Sequence, residues 1–268
     1  MVKTSLIISV YKNTEFLNAV LDSLNHQTIM PNEIIISEDG NDENMYNFIN
    51  NYPFLAPHVH LTQDDIGWRK NQALNNAIRS SKYEYLIFID GDCVLHPKFI
   101  ENHIKMASPK DILAGKRVKL GVQYSDILIN STVKSFSNDY LKNYKSIKNE
   151  GGAFCEEGII FPLNFTTKAI IKALGISSIK GCNFSCFKSS LLSINGFDED
   201  YTKPAIGEDI DLVWRFKGLG YNITSIKHFA IQYHLYHKES WTDQSENEKL
   251  MQNKMNAKTF RCINGLQK

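Results

Sequence analysis

Short apolar runs alternate with helical patterns throughout the first 120 residues of this 268-residue chain. The runs are rich in β-branched residues and have the length of buried strands in a parallel sheet. They occupy residues 4–10, 33–37, 58–61 and 85–90. Strands that alternate with helices in this way form βαβ units, whose strands lie mostly parallel. The sequence therefore predicts an α/β fold with a Rossmann-like, mostly parallel central sheet that is flanked by helices.

The helical patterns between the strands have recognisable starts and stops. The first follows Asn13 or Thr14, either of which suits a helix N-cap. Further helices are predicted over residues 69–80, from Pro97 onward, and over 187–195, 208–219 and 243–262, with a last strand over 229–235. Residues 121–180 are polar and weakly periodic, which indicates excursions over the sheet edge that are partly helical and mobile.

Charge and composition exclude several classes of function. The 30 basic and 29 acidic residues nearly balance, so no broad positive field is expected to attract nucleic acid. The five cysteines form no Cys-x-x-Cys pair, which favours reduced thiols over a zinc site. No signal peptide is visible, and no apolar run approaches the roughly 20 residues that span a bilayer. These features predict a cytoplasmic protein, with peripheral contact to the inner face of the membrane left open.

Asp90, Gly91 and Asp92 stand where the strand over residues 85–90 ends. In open α/β sheets, ligands bind beyond the carboxyl ends of the strands. Two carboxylates at such an end suit a hard divalent cation, and the intervening glycine allows a ligand to approach the backbone closely. A cation held in this way usually shares its ligand shell with a diphosphate. An exposed acidic turn is the alternative for this motif taken alone, because Asp-Gly is a common turn pair.

Other polar blocks stand at comparable places along the chain. ISEDGN at 36–41 ends the second strand in acids and a glycine, and GEDID at 207–211 places three acids at a helix start. Arg69 and Lys70 begin another helix, where basic side chains and backbone amides favour a phosphate anion. YHLYH at 233–237 offers two histidines at a strand end. Each block is a weak signal taken alone, but their order and spacing together are much more specific.

The same blocks resemble the inverting nucleotide-sugar glycosyltransferases of family 2, which have the GT-A fold. The resemblance covers roughly residues 4–240 and depends on SLIISVYKN, SEDGN, GWRKNQALNNAI, FIDGDC, GCNFSCFKSSLLSINGFDE and GEDIDLVWRF. The last two blocks are similar to a galactosyltransferase-type C-terminal motif. The resemblance implies a single GT-A domain over residues 1–240, with a nucleotide-binding half at 1–120, a smaller acceptor and catalytic half at 121–240, and a helical tail at 241–268.

The resemblance further implies that the nucleotide lies against the ends of the first strands. The residues implied to line the uracil and the ribose are Ser9, Val10 and Tyr11. Asp39 would hydrogen-bond the uracil, and Arg69 would lie beside the base and the diphosphate. The family form Ala-Arg-Asn is replaced here by Trp-Arg-Lys-Asn at 68–71, an extra lysine that affects the register of this motif. Asn183 and its backbone would lie beside the donor sugar.

By the same resemblance, Asp90, Gly91 and Asp92 form a DXD motif that contacts the nucleotide-sugar. Asp92 would ligate the metal directly, while Asp90 would contact the ribose or complete the metal shell through water. A histidine after the last core strand would supply a third ligand, and His234 and His237 are both candidates. An imidazole among oxygen ligands favours Mn²⁺, with Mg²⁺ as the alternative cofactor.

The acidic pair Glu208 and Asp209 matches the family's catalytic acids. Asp209 would be the general base that takes a proton from the acceptor hydroxyl, and Glu208 would bind the acceptor or the donor sugar. Capping of the helix that follows is the alternative role for both acids. Trp241 is the aromatic residue expected to contact the acceptor.

The implied function is transfer of a hexose or N-acetylhexosamine from a UDP-sugar to a hydroxyl of a glycan or lipid-linked acceptor, as in the synthesis of bacterial surface polysaccharide or lipopolysaccharide. A nucleotidyltransferase is a rival enzyme class, but it needs a glycine-rich loop after the first strand, and residues 9–16 contain no glycine. A non-catalytic carbohydrate- or nucleotide-binding module is the second alternative. The presence together of Asp92, Asp209 and His234 argues against a module that has lost its chemistry.

Overall fold

The computed structural model of the protein describes residues 2–175, 178–204, 206–238 and 243–268. Within these ranges the strands are β1 Thr4–Val10, β2 Glu33–Glu38, β3 His58–Leu61, β4 Tyr85–Asp90, β5 Cys93–Leu95, β6 Asp111–Ala114, β7 Val118–Lys119, β8 Asn183–Phe187, β9 Asn222–Ser225 and β10 Gln232–His234. The helices are α1 Thr14–Leu24, α2 Glu43–Asn51, α3 Lys70–Ser80, α4 Phe99–Met106, α5 Val122–Ile129, α6 Val133–Asn149, α7 Phe165–Leu174, α8 Lys188–Ile194, α9 Asp211–Gly218 and α10 Ser245–Asn256. A π-helical turn at Ile206–Ile210 precedes α9.

The main sheet has seven strands in the order β3-β2-β1-β4-β8-β6-β9. β1 is parallel to both β2 and β4, and β3 continues the parallel arrangement beyond β2. β8 runs antiparallel between β4 and β6, and β9 is parallel to β6. A second sheet, in the order β5-β10-β7, adjoins the end of β4. The predicted α/β fold with a mostly parallel central sheet is therefore confirmed.

Both faces of the main sheet are covered by apolar side chains. Leu6 and Ile8 of β1 belong to a buried cluster with the apolar residues of α1. Ile7, which points to the opposite face, is buried with Leu74 and Ile78 of α3. A parallel sheet that is buried on both faces leaves only its strand ends open to ligands. The carboxyl ends of β1, β2 and β4 lie at the same edge and define that opening.

Most predicted elements of the first half are confirmed, and several short elements were not predicted. The Asn13 side chain caps α1 by accepting a hydrogen bond of 2.9 Å from the Phe16 amide, as its sequence position indicated. Helix α2 was not predicted, because it buries only Met45 and Ile49 and therefore has a thin apolar stripe. Strands β5, β6, β7 and β9 were not predicted either, because their two to four residues are too short for a periodic signal.

Residues 121–180 are more regular than the sequence indicated. They contain α5, α6 and α7, and the 17-residue α6 buries Val133, Phe136, Tyr140 and Ile147. These apolar positions follow helical spacing, but the many lysines, serines and asparagines around them obscured the stripe. The expected helix over 243–262 ends early, at Asn256, and the expected strand over 229–235 is reduced to β10. Among the described residues, no helix has both the length and the apolar character that crossing a bilayer requires.

Candidate active site

The carboxyl ends of β1, β2 and β4 line a cleft of about 530 Å³. Eight residues that the resemblance assigns to the nucleotide-sugar or the metal line it: Ser9, Val10, Tyr11, Asp39, Asp90, Gly91, Asp92 and His237. Gly91 allows the end of β4 to pass close to β1, since its amide donates a 2.8 Å hydrogen bond to the Ser9 carbonyl. A Cβ atom at position 91 would lie 2.8 Å from the Val10 side chain, so this approach requires glycine.

Asp92 is the acid of the cleft that lies among potential metal ligands. One of its carboxylate oxygens, Oδ2, lies 3.4 Å from Nε2 of His234 and 3.3 Å from Nε2 of His237. The ligand atoms of the three residues all lie within 4.8 Å of one another. The sequence left open whether His234 or His237 is the third ligand, and the structure brings both of them close to Asp92. Asp90, which the sequence also proposed as a ligand, is not part of this group of described residues.

Protein contacts favour the ionised form of Asp92. Burial by itself would raise the pKa of this carboxyl, but the hydrogen bonds with His234 and His237 outweigh burial and hold the pKa well below its usual value. The Cys93 thiol adds a third contact to the carboxylate, at 3.2 Å from Oδ1. An ionised carboxylate beside two imidazoles is a set of donors that suits a divalent transition metal such as Mn²⁺.

Asp90 has a different partner, although only one residue separates it from Asp92. Its Oδ1 accepts a 2.7 Å hydrogen bond from Nζ of Lys70, the first residue of α3. Of the two basic residues in the motif at 68–71, Lys70 is the one whose side chain lines the cleft. Arg69, which was predicted for this role, lines a separate small cavity with Tyr201. The extra lysine in the motif was the signal that the register had shifted by one residue.

The backbone of Arg69 nevertheless contributes to the cleft, because it binds Asp39. The Arg69 amide donates a 2.8 Å hydrogen bond to Oδ2 of Asp39, and the Gln63 side chain donates one of 2.7 Å to Oδ1. Burial raises the pKa of the Asp39 carboxyl above its usual value, and these two bonds offset part of the rise. They hold the carboxylate at the end of β2, facing the cleft.

A polar bridge spans the mouth of the cleft and was not anticipated from the sequence. The Lys12 ammonium lies 2.6 Å from Oδ2 of Asp65, and the Tyr11 hydroxyl lies 3.4 Å from the same oxygen. This bridge joins the loop after β1 to the loop after β3. Tyr11 remains 55% exposed, so its ring is available to a planar ligand.

Asp209 lies in the π-helical turn before α9, not in the first turn of an α-helix as the sequence predicted. Its Oδ1 accepts a hydrogen bond from the Gly181 amide, and Oδ2 lies 3.8 Å from Nζ of Lys180. Both partners stabilise the ionised carboxylate, which is the form that accepts a proton. The side chain of Glu208 and all of Trp241 lie outside the described residues.

Two cysteines connect the Asp209 turn to the metal-ligating group. Cys182 follows Gly181, whose amide holds Asp209, and the Cys182 thiol lies beside that of Cys93. Cys93 in turn follows Asp92 directly. Asp209 therefore lies beyond the cleft lining but at the same edge of the sheet as the group of Asp92, His234 and His237.

Asn183 is placed away from the cleft, in the protein interior. Its side chain is fully buried and donates hydrogen bonds to the carbonyls of Lys116 and Ala230, at 2.7 and 3.0 Å. Its Oδ1 lies 3.2 Å from Nε2 of His103. These bonds join β8, α4 and the loops before β7 and β10, so the side chain holds these elements together in the described structure.

Two family models match the chain. Residues 5–161 match the model described as Glycosyl transferase family 2, and residues 166–238 match the one described as the N-terminal domain of galactosyltransferase. Chondroitin synthase of Escherichia coli is 23% identical over 236 residues, which are 86% of this chain and 34% of that protein. Validoxylamine A glucosyltransferase of Streptomyces hygroscopicus subsp. limoneus is 22% identical over 269 residues, covering 96% of this chain and 55% of that protein. The chain thus spans between a third and somewhat over half of the length of these relatives.

Two solved structures are similar to the whole fold. The mannosyltransferase PcManGT from Pyrobaculum calidifontis, in complex with GDP-Man and Mn²⁺, has a TM-score of 0.55 at 14% identity, with 96% of this chain and 63% of that chain covered. GalNAc-T7 with UDP, GalNAc and Mn²⁺ has a TM-score of 0.61 at 13% identity, with 90% of this chain and 45% of that chain covered. At such identities the likeness establishes a shared fold and nothing further.

Proposed function

The chain belongs to glycosyltransferase family 2 and has the GT-A fold, and from this premise we propose that it is a metal-dependent, inverting enzyme that transfers sugar from a UDP-sugar. The acceptor is a hydroxyl of a glycan or a lipid-linked glycan in bacterial surface polysaccharide or lipopolysaccharide synthesis. The single observation that carries the proposal is the convergence of Asp92, His234 and His237 at the opening of the cleft. We further propose one catalytic unit over residues 1–240, with residues 241–268 as its tail.

The side chains at the opening of the cleft include the ligands that a divalent cation requires. Asp92, His234 and His237 would hold the ion, with Mn²⁺ preferred over Mg²⁺ because of the two imidazoles. Mn²⁺ is also named in the two similar solved structures. When bound, such an ion neutralises the charge that develops on a departing diphosphate.

The position and charge of each side chain in the cleft suggest which part of the nucleotide it would contact. We assign the base to Tyr11 and Asp39, which line the cleft at the ends of β1 and β2. Lys70 and Asp90 lie on the β4 side, and the Lys70 ammonium is placed to contact a diphosphate oxygen. Lys70 thus takes the role that the sequence motif suggested for Arg69.

Asp209 is the proposed general base. Its ionised carboxylate accepts the proton of the acceptor hydroxyl while that oxygen attacks the sugar on the face opposite to the nucleotide. Attack from that face inverts the anomeric centre, so an α-linked donor gives a β-linked product. The acceptor-binding roles of Glu208 and Trp241, and the donor-sugar role of Asn183, stay predictions.

The proposal is tested by UDP binding and UDP release. We expect UDP with Mn²⁺ to raise the melting temperature, and UDP to be released from one of a panel of UDP-sugars when acceptor is supplied. Asp92→Ala should abolish Mn²⁺-dependent turnover, whereas Asp139→Ala, which removes an exposed acid of α6, should leave that turnover intact. Full turnover of Asp92→Ala without added cation refutes the metal role. Binding of UDP with no release from any donor favours the non-catalytic module instead.

A further inference from the structure

Arg117, just before β7, is a partly buried cation that forms no ion pair with any acid of the described residues. Its Nη1 lies 3.1 Å from Sγ of Cys182, and the charge of Asp90 reaches it only without direct contact. The fully buried Arg215 shows the usual alternative, since its Nε binds Asp211 at 2.6 Å and its Nη1 binds two backbone carbonyls. A thiol is a weak acceptor, so most of the hydrogen-bonding capacity of Arg117 is not used within the described structure.

The position of Arg117 relates it to the reacting part of the site. Its contact, Cys182, lies beside Cys93, which directly follows Asp92, and Cys182 itself follows Gly181, whose amide holds Asp209. Arg117 therefore contacts the residue that connects the metal-ligating group to the turn of the proposed base. It is absent from the lining of the nucleotide cleft, where Lys70 supplies the positive charge. In the proposed reaction, the donor sugar must occupy the space between the metal and the base.

Two lysines add to the positive charge around this space. Lys180 lies 3.8 Å from Asp209, and Lys116 immediately precedes Arg117 and donates a 2.9 Å hydrogen bond to the Ser178 hydroxyl. Burial, together with the charge of Lys180, lowers the pKa of Lys116, as expected where like charges are close. A partly buried cation whose donors are largely unused is stabilised when an anion binds beside it.

We propose that Lys116, Arg117 and Lys180 form a subsite for a carboxylate on the donor sugar, so that the enzyme prefers a UDP-hexuronate over the corresponding neutral UDP-hexose. This inference rests on the proposed function and narrows its sugar class. The planar fork of the Arg117 guanidinium matches the two oxygens of a carboxylate, which makes arginine suited to this recognition. The two lysines contribute long-range attraction and a second donor.

The test compares sugars that differ only at C6. Calorimetry with Mn²⁺ measures the Kd of UDP, UDP-glucose, UDP-glucuronate, UDP-galactose and UDP-galacturonate for the whole protein. One uronate should bind about tenfold or more tightly than its neutral partner, as expected for a charged hydrogen-bonded pair. Arg117→Met should abolish that preference and leave the Kd of UDP within about twofold, and Arg117→Lys should retain part of it. Arg261→Met, which removes an exposed arginine, is the matched control and should keep the preference.

The outcomes separate this inference from the function on which it rests. UDP binding to the wild type without a preference for either uronate overturns the carboxylate subsite alone. An Arg117→Met variant that weakens UDP as much as the uronate also overturns it, because Arg117 then binds the diphosphate. Absence of UDP binding to the wild type removes the proposed function and this subsite together. Unchanged melting temperatures of the variants establish that each comparison is made on folded protein.

Discussion

Asp90 and Asp92 are separated by one glycine, yet their surroundings give them different chemistry. Asp90 pairs with the Lys70 ammonium at 2.7 Å, whereas Asp92 faces the imidazoles of His234 and His237. The difference arises because β5 begins at Cys93 and turns Asp92 toward β10. At the scale of single residues, strand pairing thus decides which carboxylate can bind a metal ion.

Asp209→Asn tests the proposed base. Asparagine keeps an oxygen that can accept the Gly181 hydrogen bond, so the turn should stay folded, but it cannot take a proton. We expect turnover to fall by about 10²- to 10⁴-fold, with the Kd of UDP nearly unchanged. UDP-release kinetics and calorimetry measure the two quantities. An asparagine variant with wild-type turnover would remove Asp209 from the mechanism.

Asp39→Ala tests the nucleotide site at β2. The variant removes the carboxylate that the Arg69 amide and Gln63 orient toward the cleft. We expect UDP affinity to fall by about tenfold, the effect of losing one charge-assisted hydrogen bond. Asp42→Ala is the matched control, since that carboxylate caps α2 and should affect stability alone. Calorimetry that finds the same UDP affinity in Asp39→Ala and wild type contradicts the assignment.

At the scale of elements, α9 is held by a buried network that fixes the turn carrying Asp209. Asp211 and Arg215 are both fully buried and form an ion pair one helical turn apart. Asp211 also accepts hydrogen bonds of 3.1 Å from the Tyr201 hydroxyl and from Nε1 of Trp214. Such a network makes the start of α9 rigid, immediately after the π-helical turn.

Arg215→Met should destabilise the protein strongly because it leaves Asp211 charged and buried. The expected loss is about 3–5 kcal/mol in the free energy of unfolding, measured by urea denaturation. Arg215→Met combined with Asp211→Leu should recover much of that loss, because no unpaired charge then remains. A double variant no more stable than the single one would show that the ion pair is not the source of the effect.

At the scale of the whole molecule, buried histidines make stability depend on pH. His103 of α4 is fully buried, and burial lowers its pKa to about 3, while the Asn183 side chain opposes the shift. Burial also lowers the pKa of His96 to about 4. Unfolded histidine titrates near pH 6.5, so below that pH the unfolded chain binds more protons than the folded chain. The stabilisation is complete above about pH 6.5 and is lost as pH falls toward the folded pKa values.

The urea midpoint should therefore decrease when pH is lowered from 7 to 5. His103→Gln, which retains hydrogen-bonding groups near Ser185 and Asn183 but cannot take up the proton, should show a smaller decrease. Denaturation curves for both proteins across this range provide the measurement. A wild-type midpoint that is constant or rises on acidification contradicts the assignment of neutral, buried histidines.

Local sequence patterns were sufficient for the main elements and for the acids at the strand ends. Each of the longer strands β1, β2 and β4 and the helices α1 and α3 has its own periodicity. Asp-Gly-Asp after an apolar run indicates a ligand-binding edge without reference to distant residues. Patterns failed where elements were short, as in β6 and β9, or where polar residues surrounded a helical stripe, as in α6.

The sequence by itself determined the α/β fold from periodicity and Asp92 as a candidate from its motif at a strand end, and the resemblance to the family added Asp209. Only the tertiary structure decided that His234 and His237 both reach Asp92, that Lys70 and not Arg69 enters the cleft, and that the Asn183 side chain belongs to the interior. The physical reason is that these placements depend on strand order and on the direction of each side chain. Strand order and side-chain direction are set by the packing of segments that are far apart in the chain, and a local sequence pattern contains no information about that packing.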